Sequence, residues 1–191
     1  MFLLTRPSSR DIDAFVAASC ELPLSYSPVG IARERVNPGW HADECELTLG
    51  TGEEAFRRAR EALAAWRHFA LGWTELFPRS ASIERGSVVA VLVHHLGFWS
   101  MNGCRVVYAM DGAGEFGFAY GTLINHAECG EEIFVVRYDA QSGRVSYSIR
   151  AVSRPRAALA RLGYPIVRRL QARFRAGSAD AMKHAVRTEQ P

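Results

Sequence analysis

The chain has 191 residues, of which 48% are hydrophobic and 23% are charged. This composition is typical of one globular domain with a sizeable core and excludes a largely disordered chain. No apolar run approaches the roughly 20 residues that cross a bilayer as a helix, so we expect no transmembrane segment. The apolar start of the chain turns polar too soon for a signal peptide, which predicts a cytoplasmic protein.

The charge of the chain is unevenly distributed. The segment 154–191 holds 9 basic and 2 acidic residues, whereas the rest holds 14 basic and 18 acidic residues. Such a basic end can contact nucleic acid or an anionic membrane. Its arginines are spaced as on a helix surface and not in a block, however, which favours a solvated helix face. A nucleic-acid partner is therefore not expected.

Two helices are predicted in the first third of the chain. Residues 10–20 combine helical spacing of apolar residues with Asp11 as a candidate N-cap. The segment 49–69 shows the clearest helical periodicity, and Thr51 and Glu54 in it have the spacing of a capping box.

The region that follows is rich in Val, Tyr and Phe and predicts an antiparallel arrangement of strands. The strands are expected at 71–77, 86–95, 104–111, 115–123, 131–139 and 144–152. Glycine-containing turns separate the fourth strand from the third and the sixth from the fifth. In the fourth strand bulky residues alternate with Gly and Ala, so one face is nearly bare and can be approached closely.

A long helix is predicted from Pro155 onward, with a bend or break near Pro165. Its apolar stripe can cover one face of the sheet. The stripe consists of Leu159, Leu162, Ile166, Leu170 and Phe174. Beyond Gly177 the pattern weakens, so we expect one domain over 1–191 with a core at about 10–176 and a frayed tail at 177–191. The fold class is α+β.

Several strings occur in a characteristic order along the chain. They are YSPVG (26–30), GW (39–40), LGTGEEAF (49–56), LGW (71–73), NGCRVVY (102–108), FGFAYGTL (116–123), GEEIFVV (130–136) and SRP (153–155). Together they resemble the bacterial and plant family called domain of unknown function nineteen-ninety. The resemblance covers nearly the whole chain.

This resemblance implies a START-like helix-grip fold of the SRPBCC superfamily. In that fold a curved antiparallel sheet grips a long C-terminal helix and leaves an apolar cavity between them. Members of the superfamily bind lipids, polyketides, steroids or plant hormones, and some are cyclases or hydratases. For the family itself the implied activity is unknown, and a fold alone does not determine function.

Candidate catalytic residues lie on the later strands and their connections. Glu132 has the strand parity of apolar residues and is expected to point inward, whereas Glu131 is expected to face water. A carboxylate beside an apolar pocket has a raised pKa and can serve as a general acid or base. We therefore consider Glu132, Tyr120 and His126 as candidate catalytic residues. The alternative is that these groups are structural.

Candidate ligand contacts lie on the same strands. They are Trp99, Asn102, Arg105, Tyr108, Phe118 and Tyr120. Arg105 can hold a ligand carboxylate or pair with Glu132. The aromatic residues suit a cavity wall, and ordinary core packing is the alternative.

No metal or cofactor is expected. The four cysteines form no C-x-x-C pair. His41, Asp43 and Cys45 alternate as ligands on one strand face would, but no second cluster accompanies them and a surface loop is favoured.

Three functions follow from these observations. The first is binding of a small hydrophobic or amphipathic molecule between the sheet and the C-terminal helix. The second is a cyclase, lyase or hydratase that uses an acid–base pair in the same cavity. The third is an interaction protein whose basic C-terminal helix contacts nucleic acid or an anionic membrane.

Overall fold

A computed structural model describes residues 1–34, 36, 38–155 and 164–187. The elements are β1 (Phe2–Leu3), α1 (Ser9–Ser19), β2 (His41–Thr51), α2 (Glu53–Ala64), the 3-10 helix η1 (Arg67–Phe69), β3 (Thr74–Phe77), β4 (Val88–His95), β5 (Phe98–Gly112), β6 (Glu115–Thr122), β7 (Glu128–Tyr138), β8 (Arg144–Pro155) and α3 (Tyr164–Arg187). The strands form one antiparallel sheet in the order β2-β8-β7-β6-β5-β4-β3, and β1 pairs with β5. The predicted fold, a curved antiparallel sheet with a C-terminal helix, is confirmed.

The inner face of the sheet packs against α2, η1 and α3 and forms the largest core cluster. From the helices this cluster takes Leu63, Phe69 and Met182, and from the strands it takes residues such as Phe134 and Tyr147. On the outer face α1 packs against β4 and β5, and the segment 24–34 packs against β5 to β8. The central strands therefore pack against helices with their inner face and against α1 or the segment 24–34 with their outer face, as period-two alternation of side chains requires.

The nearly bare face predicted for β6 lies on the outer side of the sheet. Ala119 is fully buried there, and a Cβ added at Gly121 would collide with the side chains of Tyr26 and Leu24. The small residues on this face therefore let the segment 24–34 lie close to the surface of the sheet.

The helix α1 is confirmed, but its N-cap is Ser8 and not Asp11. The Ser8 hydroxyl accepts from the backbone N–H of Asp11 at 3.2 Å, and the Asp11 carboxylate accepts from the backbone N–H of Ser8 at 3.1 Å. These two bonds form a complete capping box.

The capping box predicted at the start of α2 is wrong. Thr51 is the last residue of β2, and Gly52 is the N-cap with a φ of +87° and no side-chain bond. The carboxylate of Glu54 accepts instead from Arg57 and Arg58. Two acidic residues in the first turn still suit the positive end of the helix dipole.

The surface loop predicted at 41–45 is also wrong, because these residues begin the edge strand β2. This strand pairs with β8 along its length, with a bulge between Thr48 and Gly50. Its outward side chains are exposed and its inward ones are partly buried. Acidic residues on both faces hide the alternation that would have identified the strand.

The C-terminal helix differs from its prediction at both ends. Pro155 ends β8 and does not begin the helix, and α3 is described from Tyr164. The predicted fraying after Gly177 is wrong up to Arg187, because α3 continues to that residue. Leu159, Arg161 and Leu162 of the predicted helix lie outside the described residues.

The second half of α3 is anchored in the core. Met182 is 0% exposed and Val186 is 6% exposed. The hydroxyls of Ser178 and Tyr147 are hydrogen-bonded at 2.7 Å. Among the described helices, none has the length and apolar content needed to cross a bilayer.

Candidate functional site

A pocket of about 450 Å³ lies between the inner face of the sheet and the first half of α3. Its apolar wall comes from η1, from several strands and from α3. The residues of this wall are Phe69, Trp73, Val91, Val93, Ala151, Ile166, Val167, Leu170 and Phe174. Small-molecule sites occupy roughly 300–1,000 Å³ and have mostly apolar walls, so the pocket has the size and character of such a site.

The pocket exists because inward-facing side chains become smaller or polar toward one end of neighbouring strands. On β8 the inward residues change from Tyr147 and Ile149 in the core to Ala151 and Ser153 at the pocket. On β7 the change runs from Phe134 in the core to Glu132 and then Gly130. Helix α3 therefore stands over unfilled space at this end and over packed core at the other.

Glu132 and Tyr120 form the polar centre of the pocket. They are cross-strand partners on β7 and β6, and the Tyr120 hydroxyl donates to Glu132 Oε2 at 2.6 Å. Burial raises the pKa of Glu132 to about 7, although the bond from Tyr120 lowers it. Burial also raises the pKa of Tyr120 well above its usual range, so this phenol stays protonated. The carboxyl can therefore gain or lose a proton near neutral pH.

Glu128 is a second carboxyl in the pocket, and no sequence argument singled it out. It lies on the same face of β7 as Glu132, and Gln171 Nε2 donates to its two oxygens at 2.9 and 3.1 Å. Burial raises the pKa of Glu128. Strand parity would have identified it if the predicted strand had begun at 128 and not at 131.

Two arginines of α3, Arg168 and Arg175, contact the carboxylate of Asp43 on β2. Arg168 Nη2 donates to Asp43 Oδ1 at 2.6 Å, and Arg175 Nη2 lies 3.2 Å from the same oxygen. The bond from Arg168 holds the pKa of Asp43 below its usual range. These contacts fasten the start of α3 to the edge of the sheet and occupy the Asp43 carboxylate.

Among residues 1–34, 36, 38–155 and 164–187, no group of three or more His, Cys, Asp and Glu residues is arranged to hold a metal ion. The Asp43 carboxylate accepts from Arg168.

His126 and Asn102 line the pocket beside the loop between β6 and β7. His126 Nδ1 accepts from the backbone N–H of Glu128 at 2.9 Å, and burial lowers its pKa to about 4. Asn102 Nδ2 donates to the Ser100 hydroxyl at 3.1 Å. The imidazole is therefore neutral at physiological pH and is suited to hydrogen bonding with a ligand.

The pocket thus includes four of the residues predicted from sequence, namely Asn102, Tyr120, His126 and Glu132. The other four predicted ligand contacts do not line it. Phe118 is fully buried in the core below the pocket. Trp99 lies on the outer face, where its ring stacks on His94 at 4.4 Å between centroids.

Arg105 is also on the outer face, and its predicted contact with Glu132 is wrong. Its Nη2 donates to the carbonyl oxygens of Cys20 and Leu22 at 2.8 and 2.9 Å. The guanidinium therefore holds the chain after α1 against the sheet.

Tyr108 belongs to a second outer-face cluster, which is centred on Glu131. Glu131 was expected to face water but is 2% exposed. Its carboxylate accepts from the hydroxyls of Tyr26 and Tyr108 at 2.6 and 2.8 Å, and from the backbone N–H groups of Gly30 and Ala32 at 2.8 and 3.2 Å. Burial raises the pKa of both tyrosines, which remain donors. Glu131 therefore anchors the segment 24–34.

Residues 25–181 match the family model described as domain of unknown function (DUF1990). The chain belongs to this family. It is 32% identical to the UPF0548 protein of Dictyostelium discoideum, over 100% of this chain and 98% of that protein. The resemblance stated from the sequence is confirmed.

Solved structures establish the fold class of this DUF1990 protein. The Zhui aromatase/cyclase from a Streptomyces species has a TM-score of 0.54 at 13% identity, over 77% of this chain and 93% of that chain. Norcoclaurine synthase of Thalictrum flavum has a TM-score of 0.53 at 10% identity, over 80% and 97%. At such low sequence identity the similarity shows the fold alone. This fold agrees with the helix-grip architecture implied by the resemblance.

Proposed function

We propose that this protein binds a small, mainly apolar molecule in the pocket between the sheet and α3. The observation that carries the proposal is the pocket of about 450 Å³, with its apolar wall and its few convergent polar groups. Apolar contacts supply affinity in such a site, and the polar groups orient the ligand. A Streptomyces aromatase/cyclase with a similar fold supports the proposal by analogy only.

In this proposal a polar group of the ligand lies at Glu132 and Tyr120. When protonated, Glu132 donates a hydrogen bond, and when ionised it only accepts. A pKa of about 7 lets both forms occur near neutral pH. The neutral imidazole of His126 and the amide of Asn102 offer further hydrogen bonds beside it.

Native mass spectrometry of the freshly purified protein, followed by denaturing extraction, tests the proposal. We expect a reproducible extra mass that denaturation releases. The variant Ala151→Phe fills the pocket and should lose this mass, because Ala151 is part of the pocket wall. The matched variant Ala42→Phe places the same ring on the exposed edge strand and should keep it. Equal bound mass in the wild type and Ala151→Phe would contradict the proposal.

A second candidate function is acid–base catalysis of the cyclase, lyase or hydratase type. The observation that favours it is the carboxyl of Glu132, whose pKa of about 7 suits proton transfer at neutral pH. In this reaction class Glu132 would take a proton from the substrate and return it, while Tyr120 holds the carboxyl in place.

The variant Glu132→Gln separates catalysis from binding. With the extracted ligand or its close analogues as substrates, catalysis predicts a fall in turnover of roughly 10²–10⁴-fold with the bound mass retained. Unchanged turnover in Glu132→Gln would exclude Glu132 as the acid or base. Binding alone predicts that the variant keeps its ligand and that neither protein converts it.

A further inference from the structure

Exposed apolar side chains concentrate at the end of the molecule where the pocket opens. Eight large hydrophobic residues are exposed in the described structure, and six of them lie in or beside β1, the β4–β5 turn and the first turn of α3. These six are Met1, Phe2, Leu4, Leu96, Phe98 and Ile166. Phe2, Leu96 and Ile166 also line the pocket, and we call these three residues the apolar rim.

The three side chains of the apolar rim are largely exposed to solvent. The exposed fractions are 65% for Phe2, 71% for Leu96 and 47% for Ile166. Single exposed apolar residues are common, but a group around one opening marks an interaction site. The three residues lie on three different elements, so their grouping does not come from the apolar face of a single strand or helix.

Leu96 is placed against its local conformational preference. His95 and Phe98 are paired, so Leu96 and Gly97 form a two-residue hairpin loop, with φ values of +50° and +78°. Such a loop favours Asn or Gly at its first position, because a positive φ is strained for a leucine. Packing does not explain a leucine that is both strained and 71% exposed, and strained residues cluster at functional sites.

Positive charge flanks the apolar rim. Arg169 and Arg173 are exposed on the first half of α3, and the Arg173 guanidinium lies 4.5 Å from the centre of the Trp73 ring. The carboxylate of Glu75 on β3 is paired with Arg6 at 2.8 Å and with Arg79 at 3.1 Å. Apolar side chains beside arginines match the interface of an anionic membrane.

We propose that the apolar rim docks this protein on an anionic phospholipid bilayer. Phe2, Leu96 and Ile166 enter the interface, and Arg169 lies at the level of the lipid phosphates. A bilayer fits this surface because its apolar phase accommodates separate projecting side chains, whereas a protein partner needs a continuous complementary patch. Docking would hold the mouth of the pocket against the apolar phase. The inference goes beyond ligand binding and does not require the ligand to be known.

Vesicle flotation of the full chain tests this proposal. The vesicles contain phosphatidylcholine alone or phosphatidylcholine mixed with phosphatidylserine. We expect the wild type to float with the mixed vesicles, less with the neutral ones, and less at high salt. Failure of the wild type to float with mixed vesicles at low salt would overturn the proposal.

The variant Leu96→Asn tests the role of the apolar rim directly. Asn adopts a positive φ readily, so the fold is kept and thermal stability should be unchanged or higher. The partition coefficient onto mixed vesicles should fall roughly tenfold, which is the effect of withdrawing one leucine from an apolar phase. The matched variant Val29→Asn removes another exposed apolar residue, away from the pocket, and should float like the wild type. Equal flotation of Leu96→Asn and wild type would sink the idea.

A charge variant and a ligand measurement complete the test. Arg169→Gln should lower binding to mixed vesicles by about fivefold and leave binding to neutral vesicles unchanged, because one arginine near an anionic surface contributes on that scale. Arg169→Gln binding of mixed vesicles equal to that of the wild type would count against the proposal. Native mass spectrometry of Arg169→Gln should show the bound mass of the wild type, because Arg169 does not line the pocket. Loss of flotation with retained ligand therefore supports docking separately from the proposed ligand binding, whose own test is Ala151→Phe.

Discussion

The hydroxyl of Tyr120 lies 2.6 Å from Glu132 Oε2, and the two residues are direct partners across β6 and β7. A phenol in this position stabilises the ionised carboxyl, yet burial outweighs it and the pKa of Glu132 rises from 4.5 to about 7. The folded protein therefore carries a proton on Glu132 at a pH where the unfolded chain has released it.

This proton makes the stability of the protein depend on pH in a defined direction. Between the unfolded pKa of 4.5 and the folded pKa of about 7, the folded state binds one more proton. The contribution of Glu132 to stability is thus complete below 4.5 and is lost as the pH rises through about 7.

We predict that Glu132→Gln removes this contribution. Relative to the wild type, the variant should gain about 3 kcal/mol in free energy of unfolding between pH values of about 4.5 and about 8. Urea unfolding of both proteins across this range measures the difference. A difference that stays constant with pH would show that Glu132 is ionised throughout.

Glu131 and Glu132 are neighbours with opposite structural roles, and a second prediction compares them. Glu131→Gln replaces one carboxylate oxygen by an NH₂ group, so two of its four donors lose their acceptor. The free energy of unfolding should fall by about 2–4 kcal/mol, because donors would remain buried without a partner.

The matched variant Glu132→Gln should lose no stability at neutral pH, since the amide still accepts from Tyr120 and carries no buried charge. Urea unfolding of both variants under one condition makes the comparison. Equal stability of the two variants would mean that the outer-face cluster contributes little to the fold.

Strand parity predicted correctly that the side chain of Glu132 points inward. The bulky residues of β6 and the parity of Glu132 identified the inner face, so Tyr120 and Glu132 were expected on one side and are found there. Parity holds on these strands because their pairing is regular from end to end.

A bulge in β5 reverses the alternation of its side chains after Val106. The register shifts between Val106 and Tyr108, so Tyr108 lies on the outer face although its number has the parity of the inward residue Asn102. A bulge adds one residue to a strand and reverses the alternation after it. The local sequence around Val107 gives no signal for it.

Glu131 could not be assigned from sequence for a different reason. Its position on the outer face was predicted, and water is the ordinary environment of a carboxylate there. The chain segment that covers it is distant in sequence and irregular, so its contacts with Tyr26 and Gly30 depend on tertiary structure alone.

The end of α3 was misjudged because its buried face carries weak hydrophobic signals. Ser178 and Ala179 follow Phe174 at helical spacing, and both are buried although neither is strongly apolar. Ser178 is accommodated by its bond to Tyr147. The stripe then resumes at Met182, which a pattern of large apolar residues alone would treat as isolated.

The third prediction concerns Met182. This side chain is fully buried between α3 and the inner face of the sheet, so Met182→Ala should lower the free energy of unfolding by about 2–4 kcal/mol through lost contacts and the cavity left behind. The adjacent variant Lys183→Ala, at an exposed position, should change it by less than about 0.5 kcal/mol. Denaturant unfolding of the two variants decides the matter. If the segment after Gly177 were frayed, both variants would have the free energy of unfolding of the wild type. If the helix is anchored, only Lys183→Ala keeps that value.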